Sequence, residues 1–221
     1  MNDAPTLILA SQSPRRAQLL MEAGFVFEQR SPPFADPDQP PGHLRGHEAE
    51  RYAAALAEQK AISLAIAIDA PALILAADTI CVDDRGELIG KPRDQQHARA
   101  MMRSFVDAEH RVITGVALLQ VLSDTPREAH AASVWASGAC DTGGGLESFA
   151  DAATVRFGSI TDAQLDDYLS TDDWRGKAGG YNLFDRQAAG WPIEVIGAPT
   201  TLVGLPMARL AGLLRSSLHS G

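Results

Sequence analysis

The residues best suited to chemistry lie in Leu7–Leu20 (LILASQSPRRAQLL), where an apolar run meets the start of a helix. The run LILA is typical of a buried strand, and Ser13 is a candidate N-cap with proline following at the first helical position. Free N–H groups and the positive end of the helix dipole attract anions there. Arg15 and Arg16 add guanidinium groups, which suit bidentate phosphate contacts. The stretch indicates a phosphate site; the alternative is an ordinary helix start with two solvated arginines.

One carboxylate and three lysines extend this set along the chain. Asp78 follows the apolar run ALILAA, so it lies at the end of a buried strand, where α/β sheets place their sites. It can hold Mg²⁺ or orient a water; the alternative is an aspartate satisfied by the N–H groups of a turn. Lys91 in a GKP turn and Lys177 in a glycine-rich loop can meet phosphates. The alternatives are a solvated turn lysine for Lys91, a flexible linker around Lys177, and plain surface charge for Lys60 on its helix.

The chemistry that fits several cations and one acid is hydrolysis of a phosphoanhydride bond by an oriented water. Such a reaction needs charge neutralisation and positioning, and no covalent intermediate. Ser11 and Ser13 have no base that the sequence reveals, so a nucleophilic serine is unsupported. Motifs of P-loops, zinc proteases and dinucleotide-binding folds are missing.

Composition narrows the class of protein. The 221 residues are 45% hydrophobic and carry a net charge of −9, which predicts one domain over residues 1–221 and argues against nucleic-acid binding. No apolar run reaches membrane-span length, and the first ten residues lack the basic start of a signal peptide. Cys81 and Cys140 lack metal-ligand spacing and fit a reducing compartment. We therefore expect a cytoplasmic protein with no membrane partner.

The order of apolar runs and breakers predicts an α/β fold with a mixed sheet. The expected helices begin at 14, 47, after Asp94, after Thr161 and at 205, and the expected strands cover 7–10, 25–30, 72–82, 88–89, 111–122, 132–137, 152–157 and 193–196. Residues 31–46 and 174–183 are expected as loops, and 138–145 as a glycine-rich hairpin tip or insertion.

Taken in order, LILASQSPRRAQLL, AEQKA, AADT, GKPRD, RVITGVALL, KAGGY and TLVGLPM resemble the Maf family of nucleoside triphosphate pyrophosphatases. The resemblance covers nearly the whole chain. It implies an α/β fold related to the inosine-triphosphatase-like pyrophosphatases, with an elongated mixed β-sheet flanked by helices and two lobes around a cleft. It also implies hydrolysis of a nucleoside triphosphate to the monophosphate and pyrophosphate with a divalent cation, Mg²⁺ or Mn²⁺. A homodimer is a further family expectation.

The resemblance also implies roles for individual residues. Ser13, Arg15 and Arg16 match the phosphate-binding motif, and Lys60 and Lys91 match the family's functional lysines. Asp78 matches the proton acceptor, which lies near the metal. Thr79 and Arg16 match positions linked to base selection.

This chain departs from the family pattern at two places. Where the family often carries an acid after the second strand, this chain reads SPPFAD, and Asp36 or Asp38 is the candidate substitute. Phe184 stands where the subfamily acting on dTTP and UTP has glutamine and the subfamily acting on 7-methyl-GTP has glutamate. TLVGLP resembles the second subfamily more, so the base stays unassigned. The Phe184 ring either stacks on a nucleobase or belongs to the core, and we expect the core.

A second function class stays open at this point. Maf proteins are also associated with inhibition of septum formation, so the chain can instead be a non-catalytic nucleotide-binding regulator. Release of pyrophosphate from a panel of triphosphates separates the two.

Overall fold

A mixed six-stranded sheet with helices on both faces forms the framework. The computed structural model describes residues 5–35, 37, 40–122 and 145–219. The strands are β1 (Thr6–Ala10), β2 (Glu28–Arg30), β3 (Ala72–Asp83), β4 (Glu109–Val121), β5 (Leu146–Phe157) and β6 (Ile193–Ile196). The α-helices are α1 (Pro14–Glu22), α2 (Glu48–Ala65), α3 (Gln95–Phe105), α4 (Asp162–Ser170), α5 (Leu183–Ala188), α6 (Pro199–Val203) and α7 (Met207–His219), and Ala178–Gly180 forms a 3₁₀ turn.

The sheet order, β2-β1-β3-β4-β5-β6, confirms the predicted mixed α/β fold. β1 is parallel to β2 and β3, whereas β3 to β6 pair antiparallel. The register of β1 with β3 ends at Ala10 opposite Ala76, but β3 continues to Asp83 along β4. Residues 77–79 of β3 therefore have no strand on the β1 side in the described part of the chain. We call this segment the open edge of β3.

The two faces of the sheet are covered by different helices. Ile74 and Ala76 pack with α2 on one face, and Leu75 and Ala77 pack with α1 and α7 on the other. Side chains alternate along a strand, so the next two residues, Asp78 and Thr79, also lie on opposite faces.

Gly115 on β4 allows α2 to approach the sheet closely. A Cβ at this position would lie 2.1 Å from the backbone of Ala53 in α2. Gly115 is also the register partner of Asp78, so this close approach lies beside the predicted acid.

A cluster rich in aromatic side chains supports the far end of β4 and β5. It packs α3 and α4 against these strands, with Phe105, Phe157, Tyr168, Trp174 and Trp191 among its buried residues. The Tyr168 hydroxyl donates to the carbonyl of Gly180 at 2.9 Å, which anchors the glycine-rich loop to α4.

Most predicted elements are confirmed, including the N-caps Ser13 and Asp94 and the capping box of Thr161 and Gln164. The expected strand at 88–89 is reduced to one bridge, Val82 to Leu88. Helices α5 and α6 were not predicted. The expected strand 132–137, residues 138–144, Asp36 and Asp38 lie outside the described residues. In the described part, no helix combines the length and the apolar character needed to cross a membrane.

Candidate active site

The turn from β1 to α1 lies beside the open edge of β3. The Ser11 Oγ accepts from the N–H of Ser13 at 3.1 Å, and the Ser13 Oγ accepts from the N–H of Arg16 at 3.5 Å. These bonds fix the first turn of α1 with Pro14 at its start. Arg15 is exposed on this turn and lines a neighbouring cleft. Pro14 has no N–H, and the N–H groups of Arg16 and Ala17 donate to Ser13, so an anion at this helix start would meet the Arg15 N–H and the Arg15 guanidinium.

Arg16, the next residue, occupies a different environment. Its Nη1 donates to the Ala77 carbonyl at 2.7 Å and to the Ser11 Oγ at 3.3 Å. Its Nε donates to the Gly204 carbonyl at 3.0 Å, and its Nη2 donates to the Thr79 Oγ1 at 3.1 Å. Desolvation lowers the pKa of Arg16, while the charge of Asp78 acts in the opposite direction. The structure therefore ties Arg16 into the protein, whereas Arg15 faces solvent.

Glycine at position 204 makes room for this guanidinium. A Cβ there would lie 2.8 Å from the Arg16 Nε and 3.2 Å from the Thr79 Oγ1. The backbone of Gly204 has φ of 108°, a conformation that strains other residues. In the sequence, Gly204 is visible only as part of the motif TLVGLPM, where a glycine can signal a close backbone approach.

A chain of hydroxyl groups continues from Thr79 through the sheet. The buried Thr114 donates from Oγ1 to the Thr201 carbonyl at 2.7 Å, and its Oγ1 lies 2.9 Å from the Thr79 Oγ1. Because the Thr114 proton is used, Thr79 is the donor between them. Thr201 in turn donates from Oγ1 to the Asp151 carboxylate. Sequence analysis missed Thr114 and Thr201, which are polar residues within otherwise apolar segments.

Lys60 and Asp78 form an ion pair on the α2 face of β3. The Lys60 Nζ donates to the Asp78 Oδ1, and the side chains are only 16% and 13% exposed. The Lys60 Nζ also lies 5.6 Å from the centroid of the Phe34 ring, in the proline-rich loop. The structure thus joins a predicted lysine and the predicted acid in a largely desolvated pair.

A cleft of about 230 Å³ opens on the opposite face of β3. Cationic and apolar groups together line it: Arg15, Thr79, Cys81, Val112, Val155, Gly176, Lys177, Ala178, Tyr181, Asn182, Leu183, Phe184 and Leu202. The Lys177 Nζ donates to the carbonyl of Asp173. The cleft therefore offers charge for an anionic group and apolar walls for a planar one.

Phe184 is 41% exposed and lines this cleft. Our expectation that the ring belongs to the core is therefore wrong. The reason is local: the Asn182 side chain accepts from the N–H of Phe184 at 3.2 Å and starts α5 there. This places Leu183 inward and Phe184 outward.

Lys91 is exposed and is not part of the cleft lining. Its turn is nevertheless attached to the glycine-rich loop, because the Gly90 carbonyl accepts from the N–H of Gly179 at 3.0 Å. The predicted site residues therefore form two groups around the open edge of β3, with Lys91 at the periphery.

The buried His110 is hydrogen-bonded to Tyr181, which lines the cleft. The His110 Nε2 lies 2.6 Å from the Tyr181 hydroxyl oxygen, and the His110 ring packs 4.6 Å from that of Phe105. Burial lowers the pKa of His110 to about 4 and raises that of Tyr181 well above its ordinary value. At neutral pH both groups are uncharged, so the pair adds no charge to the cleft.

Asp78 is the carboxylate at the open edge of β3 that could contribute to holding a cation. Among the described residues, no three His, Cys, Asp or Glu side chains converge on one point. Mg²⁺ is commonly held by one or two carboxylates together with substrate phosphates, so the Asp78 carboxylate fits such a role.

Comparison with known proteins places the chain in a family. The profile described as "Maf-like protein" matches residues 6–217. A protein of Salinibacter ruber named dTTP/UTP pyrophosphatase is 38% identical over 96% of this chain and 90% of its own length. A protein of the same name from Roseobacter denitrificans is 34% identical over 97% and 98%.

Among solved structures, a nucleoside-triphosphatase/dITP/XTP pyrophosphatase from Mycobacterium abscessus shows a weaker likeness. It aligns with 70% of this chain and 75% of its own at 12% identity and a TM-score of 0.37, too low to support an argument. The family profile and the curated relatives, which span almost the full length, agree. The chain belongs to the Maf family.

Proposed function

We propose that this protein hydrolyses nucleoside triphosphates, dTTP and UTP first among them, to the monophosphate and pyrophosphate. The proposal rests on one observation: at the open edge of β3, charged side chains lie on both faces of the strand. A cleft with Arg15 and Lys177 lies on one face, and the Lys60–Asp78 pair lies on the other. The curated relatives, named dTTP/UTP pyrophosphatases at 34% and 38% identity, support the choice of bases.

In this proposal the nucleoside occupies the apolar part of the cleft and the triphosphate crosses the open edge. Arg15, Lys177 and the Arg15 N–H at the start of α1 neutralise the phosphates, with Lys91 joining from the periphery. Cations at these positions offset the negative charge that the phosphate oxygens carry in the transition state.

Asp78 is the proton acceptor. Its Oδ1 accepts from the Lys60 ammonium, so Oδ2 is the oxygen that receives the proton of the water. The water oxygen bonds to the α-phosphorus as its proton passes to Oδ2. The bond from the α-phosphorus to the α–β bridging oxygen breaks, and pyrophosphate leaves with that oxygen.

A divalent cation fits beside Asp78 and the phosphates. When bound, Mg²⁺ or Mn²⁺ would supply charge neutralisation at the phosphate oxygens. The proposed substrates are small nucleotides, and Cys81 and Cys140 lack metal-ligand spacing and fit a reducing compartment. We therefore propose that the protein acts in the cytoplasm.

The test is pyrophosphate release from dTTP, UTP, CTP, GTP and 7-methyl-GTP, with Mg²⁺ and then with Mn²⁺. We expect turnover of dTTP and UTP, and a loss of about 100-fold or more in kcat for Asp78→Asn, because general-base catalysis contributes that much. The matched control is Asp167→Asn, the same change at an exposed position of α4.

Three outcomes would argue against this function. Full turnover by a folded Asp78→Asn variant would remove that carboxylate from the mechanism. Turnover of 7-methyl-GTP alone would overturn the choice of bases. Nucleotide binding without pyrophosphate release from any triphosphate would favour the regulator.

A further inference from the structure

We infer that Arg16 is a positioning residue for Asp78, and that Arg15 is the arginine that meets the phosphates. The inference rests on the proposed function and concerns the same site. It separates two adjacent arginines to which the sequence assigns one shared role.

The first argument is the number of bonds that Arg16 already makes. A guanidinium has five N–H groups, and four of those of Arg16 donate to protein oxygens at 2.7–3.3 Å. To reach a phosphate, Arg16 would have to leave these acceptors, including the carbonyls of Ala77 and Gly204. Two carbonyls left unpaired in a partly buried site would be unfavourable.

The second argument is where these acceptors lie. Ala77 and Thr79 are the residues directly before and after Asp78, and Arg16 bonds to both. Its other two bonds reach Ser11 in the β1–α1 turn and Gly204 between α6 and α7. Arg16 thus takes the place of a neighbouring strand along the open edge of β3, and it fixes the backbone that carries Asp78.

The third argument is the support behind Thr79. The Thr79 hydroxyl accepts from Arg16 and donates to Thr114, which donates to the Thr201 carbonyl. Each hydroxyl has one proton, so the chain has a single direction and Arg16 is its first donor. Thr114 is fully buried and does not line the cleft. Through this chain of hydrogen bonds it nevertheless helps to fix the position of Asp78.

Arg15 provides the contrast. It is exposed, it lines the cleft, and it lies on the first turn of α1. A substrate phosphate can reach it without breaking any of the bonds that hold Arg16.

The experiment separates kcat from KM in four variants, using dTTP with Mg²⁺. Misplacing a catalytic group by about 1 Å costs up to about 100-fold, so Arg16→Lys should lower kcat at least about tenfold and change KM less than about threefold. Thr114→Val should lower kcat by a smaller factor with KM again unchanged. Arg15→Gln should raise KM at least about tenfold, because it removes a contact made in the ground state as well.

Thr161→Val is the matched control for folding. It removes a hydroxyl that caps α4 far from the cleft, so it should lower Tm by an amount similar to Thr114→Val without changing kcat or KM. A decrease in kcat for Thr114→Val but not for Thr161→Val then cannot come from lost stability.

The inference is overturned if Arg16→Lys raises KM as much as Arg15→Gln and keeps kcat, or if Arg16→Lys behaves like Thr161→Val. Binding of the α,β-imido analogue of dTTP, measured by calorimetry, distinguishes this failure from that of the proposed function. If the wild type hydrolyses no triphosphate, the proposed function fails. In that case, unchanged affinity of Arg16→Lys supports the assignment, and lost affinity overturns it.

Discussion

Stability below neutral pH should depend on His110. This histidine is 2% exposed, lies among the rings of Phe105 and Phe157, and bonds to the Tyr181 hydroxyl. Burial lowers its pKa from 6.5 to about 4 in the folded protein. As the pH falls through 6.5, the unfolded chain therefore takes up this proton before the folded protein does, and the free energy of unfolding decreases.

The size of the effect follows from the two pKa values. Between about pH 7.5 and about pH 5, His110 should remove about 2 kcal/mol from the free energy of unfolding, and about 3 kcal/mol by pH 4. His110→Phe abolishes this titration and keeps a ring of similar size among its aromatic neighbours. The variant loses the bond to Tyr181, so it starts less stable at neutral pH.

Urea unfolding of both proteins at the two pH values measures the difference. The wild type should lose about 2 kcal/mol more than His110→Phe on acidification, whatever the other carboxylates and histidines contribute to both. Equal losses in the wild type and His110→Phe would refute the argument, because they would show that His110 takes up its proton equally in both states.

Four further substitutions have expected outcomes. Gly115→Ala should prevent folding or lower the free energy of unfolding by several kcal/mol, because the added Cβ would overlap the backbone of α2. Gly212→Ala in α7, where the added Cβ has open space, should instead raise the free energy of unfolding by about 0.5–1 kcal/mol. Thermal unfolding compares the two variants. Phe184→Ala should raise KM for dTTP several-fold with Tm almost unchanged, because the ring lines the cleft and is 41% exposed; an unchanged KM would contradict a role in binding. Lys60→Met should lower kcat for pyrophosphate release at least about tenfold by leaving Asp78 without its ammonium partner, and an unchanged kcat would exclude that role.

Sequence patterns predicted the framework well where they act locally. Ser13, Asp94 and Thr161 cap helices through side chains and N–H groups only a few residues apart, so residue type and spacing determine the outcome. The apolar run before Asp78 likewise predicts a buried strand, because a strand packed on both faces needs apolar residues throughout. The short helices α5 and α6 carry too few residues for a periodic pattern.

The exposure and direction of the site residues depend on contacts between distant parts of the chain, which local sequence patterns do not reveal. Arg15 and Arg16 are neighbours of the same type, and only the positions of Ala77 and Gly204 separate an exposed guanidinium from an enclosed one. The direction of Phe184 depended on where Asn182 starts α5. The alternation of Asp78 and Thr79 across the two faces of β3 was predictable from strand geometry, but the open edge beside them required the register of β1 with β3.

The bond from Arg16 to Gly204 joins residues 188 positions apart in the chain. Its other long-range partners, Ala77 and Thr79, are 61 and 63 positions away. Contacts of such separation form only after large loops have closed, and loop closure costs entropy before the contact repays it. The position of the Asp78 carboxylate is therefore fixed only when α1, β3 and the last two helices, α6 and α7, have packed together. Enzymatic activity is consequently a measure of complete assembly, and a chain that has formed its helices without docking its carboxyl-terminal part should be inactive.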